Sequence, residues 1–65
     1  MAGRERSEAT ATTVNNLALV YLGMGDYERA ETLFWRVLRI REQKLGVTHP
    51  LTLTSVNHLG LLYYD

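Results

Sequence analysis

Apolar residues in the first third of the chain recur with the spacing of a helix. Four of them, separated by three, one and three residues, share one helical face: Val14, Leu17, Ala18 and Tyr21. Ser7 precedes this segment and can cap the helix with its hydroxyl. Gly23 and Gly25 follow it, and glycine ends helices because it takes the left-handed conformation at low cost. The pattern predicts a first helix over about residues 8–22.

A second segment has the same periodicity over a longer stretch. Its predicted inner face consists of Ala30, Leu33, Phe34, Val37, Leu38, Arg41 and Leu45. Asp26 is placed to cap this helix, and Gly46 to end it. Acidic residues come early and basic residues late, which complements the helix dipole. We therefore predict a second helix over about residues 27–45.

The end of the chain is a copy of the first helix, 42 residues further on. Seven of fourteen aligned positions are identical, since Thr10, Thr12, Val14, Asn15, Leu17, Leu19 and Tyr21 reappear as Thr52, Thr54, Val56, Asn57, Leu59, Leu61 and Tyr63. Thr48 or His49 can cap the copy, and Pro50 suits a first helical turn. This predicts a third helix over about residues 50–64. We expect a disordered segment at 1–7, a complete helical pair at 8–46, and the first helix of a second, truncated unit at 47–65.

The amino-acid composition further limits which partners and cofactors we expect. Seven basic residues balance seven acidic ones, which gives no reason to expect a nucleic-acid partner. There is no cysteine, and the two histidines are too few to suggest a metal site. No apolar run is long enough to span a bilayer or to serve as a signal peptide. We expect a cytoplasmic protein that needs neither cofactor nor metal.

No arrangement of residues suggests catalysis. His49 and His58 have no acid or nucleophile at a motif spacing, so a turn position for His49 and a solvent or helix contact for His58 explain them better. Gly23-Met24-Gly25 lies between two helices rather than after a strand, which is turn chemistry and not a phosphate loop. The chain is therefore not expected to be an enzyme.

The packing positions resemble those of the tetratricopeptide repeat family. The matching residues are Leu17-Ala18, Tyr21, Gly25, Tyr27, Ala30 and Phe34. Val14 and Val37 depart from the family's frequent tryptophan and alanine, and the 42-residue offset is longer than the common repeat of about 34 residues. The long second helix with His49-Pro50 resembles the kinesin light chain subtype, which also occurs at the C-terminal end of fungal and bacterial signalling NTPases. The resemblance implies an all-α fold of antiparallel helix-turn-helix repeats, here three helices of a right-handed superhelix.

The resemblance also implies a binding surface. First helices of this family line the concave side of the superhelix, which here assigns Thr12, Asn15, Leu19 and Leu22, with Thr54, Asn57, Leu61 and Tyr64 in the second copy. An asparagine side chain both donates and accepts, so Asn15 and Asn57 can bond the backbone of an extended peptide. The alternative is that these asparagines bond each other or a neighbouring helix. We expect a scaffold that binds a protein or peptide.

Three further possibilities stay open at this stage. The third helix has no following helix, so Val56, Leu59, Leu62 and Tyr63 are expected to be partly bare, which would suit self-assembly into a homo-oligomer. Arg36, Arg39, Arg41 and Lys44 could contact RNA, although a solvated helix face explains them better. Trp35 could cover the edge of the core, stack on Arg39, or anchor a partner. The sequence does not separate a motor-cargo adaptor from a sensor region of a signalling NTPase.

Overall fold

Three helices and two short turns account for the described chain. A computed structural model describes the backbone of residues 3–63 and the side chains of residues 10–63. Helix α1 spans Gly3–Gly23, α2 spans Tyr27–Leu45, and α3 spans Pro50–Tyr63. The all-α fold class is confirmed. None of these described helices has the length and apolar character that a bilayer crossing requires.

Helix α1 begins earlier than the sequence pattern predicts. It starts at Gly3, so residues 3–7 of the expected disordered segment are helical, and Ser7 lies inside the helix rather than at its cap. The segment contains arginine and glutamate, which have high helix propensity, and no proline interrupts it. Apolar periodicity does not detect such a segment because it carries no apolar stripe.

The first turn closes α1 and opens α2 within three residues. The Met24 amide donates to the Val20 carbonyl at 3.0 Å, and the Asp26 amide donates to the Tyr21 carbonyl at 2.9 Å. Gly25 has a φ of +82°, the left-handed region that favours glycine. An Asp26 carboxylate oxygen accepts from the Arg29 amide at 3.3 Å, so the predicted cap of α2 is confirmed. So short a connection requires antiparallel neighbours.

The second turn is built around a glycine and a histidine. Gly46 has a φ of +91°, and its amide donates to the Glu42 carbonyl at 3.1 Å. Nδ1 of His49 accepts from the amide of Leu51, the second residue of α3, at 3.1 Å. Of the two predicted caps for α3, His49 therefore makes the hydrogen bond.

Helix α2 contributes most of the core. Its buried residues are Ala30, Phe34, Val37, Leu38 and Arg41, all of which belong to the inner face that the sequence predicts. The central cluster joins three of them to one residue of each flanking helix, and consists of Ala18, Ala30, Phe34, Leu38 and Leu59. Helix α2 packs against both α1 and α3, while the described parts of α1 and α3 do not pack against each other.

The inner face of α1 differs from the predicted one. Ala11 and Ala18 are buried, whereas Leu17 is 46% exposed and Val14 and Tyr21 are only partly buried. The buried side of α1 is thus centred on Ala11 and Ala18, about 50–60° around the helix from the centre of the predicted stripe, which shares Ala18 with it. Small side chains let α1 approach α2 closely, while the larger residues flank the contact.

Candidate partner-binding surface

A buried arginine joins α2 to α3. The Arg41 side chain is 6% exposed, and its Nη1 donates to the Ser55 hydroxyl oxygen at 2.9 Å and to the Leu51 carbonyl at 3.2 Å. The Ser55 hydroxyl donates in turn to the Leu51 carbonyl at 3.3 Å. Burial lowers the pKa of the Arg41 guanidinium. Among the residues with described side chains, no carboxylate pairs with it, so hydroxyl and carbonyl oxygens hold this charge.

The burial of Arg41 removes it from the four basic residues that were considered as an RNA contact. Arg41 is buried and bonded inside the protein, while Arg36, Arg39 and Lys44 are exposed. The sequence places Arg41 on the apolar face of α2 but does not reveal its bonds. Its spacing of four residues from Val37 and seven from Phe34 was the available signal.

His58 lies against the same interface from the α3 side. Its ring lies 4.9 Å from the Phe34 ring, centroid to centroid, at an interplanar angle of 34°. Burial lowers the pKa of His58, and the positive charge of Arg41 lowers it further. Its Nδ1 is buried and has no hydrogen-bond partner among the described residues. The expected contact with a neighbouring helix is therefore present.

Trp35 contacts the end of α3, and no cation–π contact joins it to Arg39 among the described residues. Its Nε1 donates to the Tyr63 hydroxyl oxygen at 3.3 Å, and that hydroxyl donates to a Glu31 carboxylate oxygen. Trp35 is 44% exposed, so it covers the edge of the α2–α3 contact and also presents part of its ring to solvent. It lines an open groove of about 430 Å³ together with Arg36, Arg39, Ile40 and Gln43.

The predicted concave residues of α1 fall into two groups. Thr12 and Leu19 are exposed, whereas Asn15 and Leu22 are partly buried, and Leu22 packs against the core. Oδ1 of Asn15 is buried and accepts no hydrogen bond from a described residue. The three-and-four spacing keeps all four on adjoining faces of one helix.

The predicted concave residues of α3 are more open. Thr54, Asn57 and Leu61 are exposed, and Tyr64 lies outside the described residues. The Thr54 hydroxyl donates to the Pro50 carbonyl at 2.9 Å. Because α1 and α3 do not pack together, Asn15 and Asn57 do not bond each other. The structure places these residues on two helices flanking α2.

Further apolar residues of α3 are uncovered. Leu53, Val56 and Tyr63 are exposed, in addition to Leu61. Of the residues expected to be partly bare, Leu59 is buried at 5% exposure, whereas Leu62 is only partly buried where it packs against the core. The reason is that α3 turns Leu59 and Leu62 towards α2, so the uncovered face begins on its opposite side.

Comparison with known proteins agrees with the helical repeat. The family described as Tetratricopeptide repeat matches residues 10–51, which is well over half of the chain. The chain belongs to the tetratricopeptide repeat family. This family is a non-catalytic repeat scaffold that generally mediates contacts between proteins. The match spans 42 residues, which is one repeat length, and it ends one residue before Thr52, the equivalent of Thr10.

One curated relative is a much longer protein than this chain. The chain is 48% identical over 53 residues to a nucleotide-binding leucine-rich repeat (NLR)-like protein of Hyaloscypha variabilis. The aligned part is 82% of this tetratricopeptide chain but only 5% of the relative, so the comparison concerns a small section of that protein. No solved structure matches the chain.

Proposed function

We propose that this chain is a protein-interaction module whose binding surface is formed by the concave residues of α1 and α3. The observation that supports it is the exposure of polar and apolar residues in the same register on both helices. Thr12 and Leu19 on α1 correspond to Thr54 and Leu61 on α3, and all four are exposed. Alternating hydroxyl and leucine side chains suit an extended peptide, which offers both backbone groups and apolar side chains.

The two asparagines contribute differently to this proposal. Asn57 is exposed and free to bond a peptide backbone, while Asn15 has a buried Oδ1. A partner therefore has less access to the side chain of Asn15 than to that of Asn57. We expect Asn57 to contribute more to affinity than Asn15 because its amide needs no rearrangement to reach a ligand.

A peptide library displayed on phage and selected against the immobilised chain tests the surface. The most strongly enriched peptide should bind the double variant Asn57→Ala, Leu61→Ala at least about tenfold more weakly, since both a hydrogen bond and an apolar contact are lost. Asn16→Ala is the matched control, because Asn16 is exposed and lies outside the proposed surface. Equal affinity of the double variant and the parent chain would contradict a concave binding site.

The proposal also includes the kind of larger protein in which this module occurs. The relative's printed name describes a nucleotide-binding protein, which favours a sensor region of a cytoplasmic signalling NTPase over a motor-cargo adaptor. The module itself would then present the surface, and the nucleotide chemistry would belong to another part of such a protein. Sequencing the gene on both sides of this segment distinguishes the two settings, through a nucleotide-binding module or a heptad coiled coil.

Self-assembly is the second candidate, and the uncovered face of α3 favours it. Leu53, Val56 and Tyr63 form an exposed apolar surface that water solvates poorly. Sedimentation of the chain over a wide concentration range would show a dimer if this surface pairs with itself. A monomer at all concentrations would leave the scaffold role as the better account.

A further inference from the structure

An open groove lies on the outer side of α2, opposite the face that contributes to the core. It has a volume of about 430 Å³ and is lined by Trp35, Arg36, Arg39, Ile40 and Gln43, which we call the α2 groove. These residues recur at spacings of one and three, so they share one helical face. Ile40 is partly buried, and the other four are exposed. The α2 groove is therefore separate from the predicted concave residues, which belong to α1 and α3.

Trp35 gives the α2 groove an aromatic surface that is held in place. Its Nε1 donates to the Tyr63 hydroxyl oxygen at 3.3 Å, and that hydroxyl donates to a carboxylate oxygen of Glu31. The ring remains 44% exposed although its polar atom already has a partner. A side chain held in this way loses little conformational freedom when a ligand packs against it. Trp35 is therefore preorganised for contact with an apolar side chain of a ligand.

The positive charge of the α2 groove has no acidic counterpart among the described residues. Arg36 and Arg39 are one helical turn apart, and none of the lining residues is acidic. Neither arginine forms an ion pair with a described side chain, whereas Arg29 pairs with Asp26. Glu42 lies three residues after Arg39, but its carboxylate is not within ion-pair distance of that guanidinium. Two guanidinium groups therefore face solvent beside an exposed aromatic ring.

This combination fits an acidic peptide that also carries an apolar residue. Guanidinium groups bind carboxylates through paired hydrogen bonds, and clusters of arginine recognise acidic motifs. Side chains one helical turn apart are separated by about 5–6 Å at their Cβ atoms, and alternate residues of an extended peptide by about 6.6 Å. Two carboxylates on one side of such a peptide can therefore reach Arg36 and Arg39 together. An apolar side chain of the same peptide can pack on Trp35 and Ile40.

A nucleic acid fits the α2 groove less well than an acidic peptide does. Binding to a phosphate backbone depends on several basic residues that neutralise successive phosphates. The α2 groove offers two cations, and the net charge of the chain is zero. Glu28 and Glu42 are exposed on the same helix and would repel phosphates that extend beyond the groove. A short acidic segment avoids this repulsion because its charge is confined to the two arginines.

We propose that the α2 groove is a second docking site, which binds an acidic peptide segment of a partner protein. Arg36 and Arg39 pair with carboxylates of this segment, and Trp35 packs against an apolar residue next to them. The side-chain amide of Gln43 is placed to bond the peptide backbone. The site uses α2 alone, so it is independent of the concave surface proposed on α1 and α3.

Fluorescence tests this site directly, because Trp35 is the one tryptophan of the chain. A short synthetic peptide of glutamates interrupted by leucines, free of aromatic residues, is titrated into the full chain while the emission of Trp35 is recorded. Binding should shift this emission to shorter wavelength, because the ring becomes more buried. A peptide with glutamine in place of every glutamate should bind at least about tenfold more weakly, since the hydrogen bonds to charged groups are lost.

Two single variants separate the α2 groove from the general charge of the chain. Arg39→Gln should weaken binding of the glutamate peptide about tenfold and leave the glutamine peptide unaffected. Lys44→Gln is the matched control, because it removes the same charge from an exposed residue of α2 that does not line the groove. Its effect on the glutamate peptide should be about twofold or less, since exposed charges outside the contact are screened.

A charge exchange distinguishes a lost contact from a loss of folding. The double variant Arg36→Glu, Arg39→Glu should no longer bind the glutamate peptide, but it should bind a peptide with lysine in place of every glutamate. An unchanged Trp35 emission, equal binding of the glutamine peptide, or equal effects of Arg39→Gln and Lys44→Gln would each overturn the proposal. Tighter binding of a uridine oligonucleotide than of the glutamate peptide would assign the groove to nucleic acid instead. The emission of Trp35 does not report on the concave residues of α1 and α3, so the two proposals fail separately.

Discussion

Helices α1 and α3 are copies of one another, and they use opposite faces to meet α2. Leu17 is 46% exposed, while its copy Leu59 is 5% exposed. Conversely, Ala18 is fully buried, while its copy Gly60 is exposed. The reason is that α2 lies after α1 and before α3, so the two copies contact it from its two sides. Each copy therefore shows, as an open surface, the face that the other buries.

The comparison teaches that exposure in this chain depends on neighbours more than on residue type. Val14 and Val56 are identical residues at equivalent positions, yet Val14 is partly buried and Val56 is exposed. Repeat proteins divide their stability between units and the contacts that join them. An apolar residue at a given position can therefore lie in the core of one unit and at the uncovered edge of the next.

The largest expected difference comes from enlarging the equivalent residues Ala18 and Gly60. Ala18→Leu should lower the free energy of unfolding by about 1–3 kcal/mol, because the larger side chain does not fit between α1 and α2. Gly60→Leu should raise it by up to about 0.8 kcal/mol, because leucine favours the helix and a Cβ at this position meets nothing within 4 Å. Urea denaturation followed by circular dichroism measures both. Equal destabilisation by the two changes would show that α3 is covered in solution.

The next largest effect on stability concerns the buried Arg41, whose side-chain hydrogen bonds are to residues of α3. Arg41→Ala should cost about 1.5–3 kcal/mol, since the hydrogen bonds to Ser55 and Leu51 are lost together. Hydrogen exchange should accelerate in α3 and change little in α1. Arg39→Ala is the control, because Arg39 is exposed and should have an effect within about 0.5 kcal/mol. Faster exchange in both helices to the same extent would mean that the two contacts with α2 are not separable.

The smallest effect is a pH dependence confined to the α3 side. The pKa of His58 is lowered in the folded chain, so the unfolded chain binds the proton more readily. The stability from the neutral ring is present above the ordinary histidine pKa of about 6.5 and is lost as the pH falls through the lowered value. Thermal unfolding should therefore show a lower Tm at pH 5 than at pH 7.5. His58→Gln should reduce this difference, and an unchanged difference would assign it to other groups.

Much of the fold follows from local signals in the sequence. The inner face of α2 is predictable because seven residues recur at three-and-four spacing, and the caps at Asp26 and His49 lie next to glycine turns. The start of α1 was missed because a charged segment without apolar periodicity forms a helix through propensity alone. For the candidate site, the sequence supplied the repeated positions of the concave residues but not their different exposures.

The sequence by itself determined that this chain is a helical repeat. Apolar periodicity and turn glycines are local patterns, and the internal repeat at an offset of 42 residues is found by comparing the chain with itself. Only the tertiary structure decided which side of each copy is buried. Because α1 and α3 carry the same repeated positions, their sequences do not tell on which side of each helix α2 lies. The order of the helices around α2 decides it. The tertiary structure also decided the hydrogen bonds of Arg41 to Ser55 and Leu51. These bonds join residues on two helices whose relative register is set by packing.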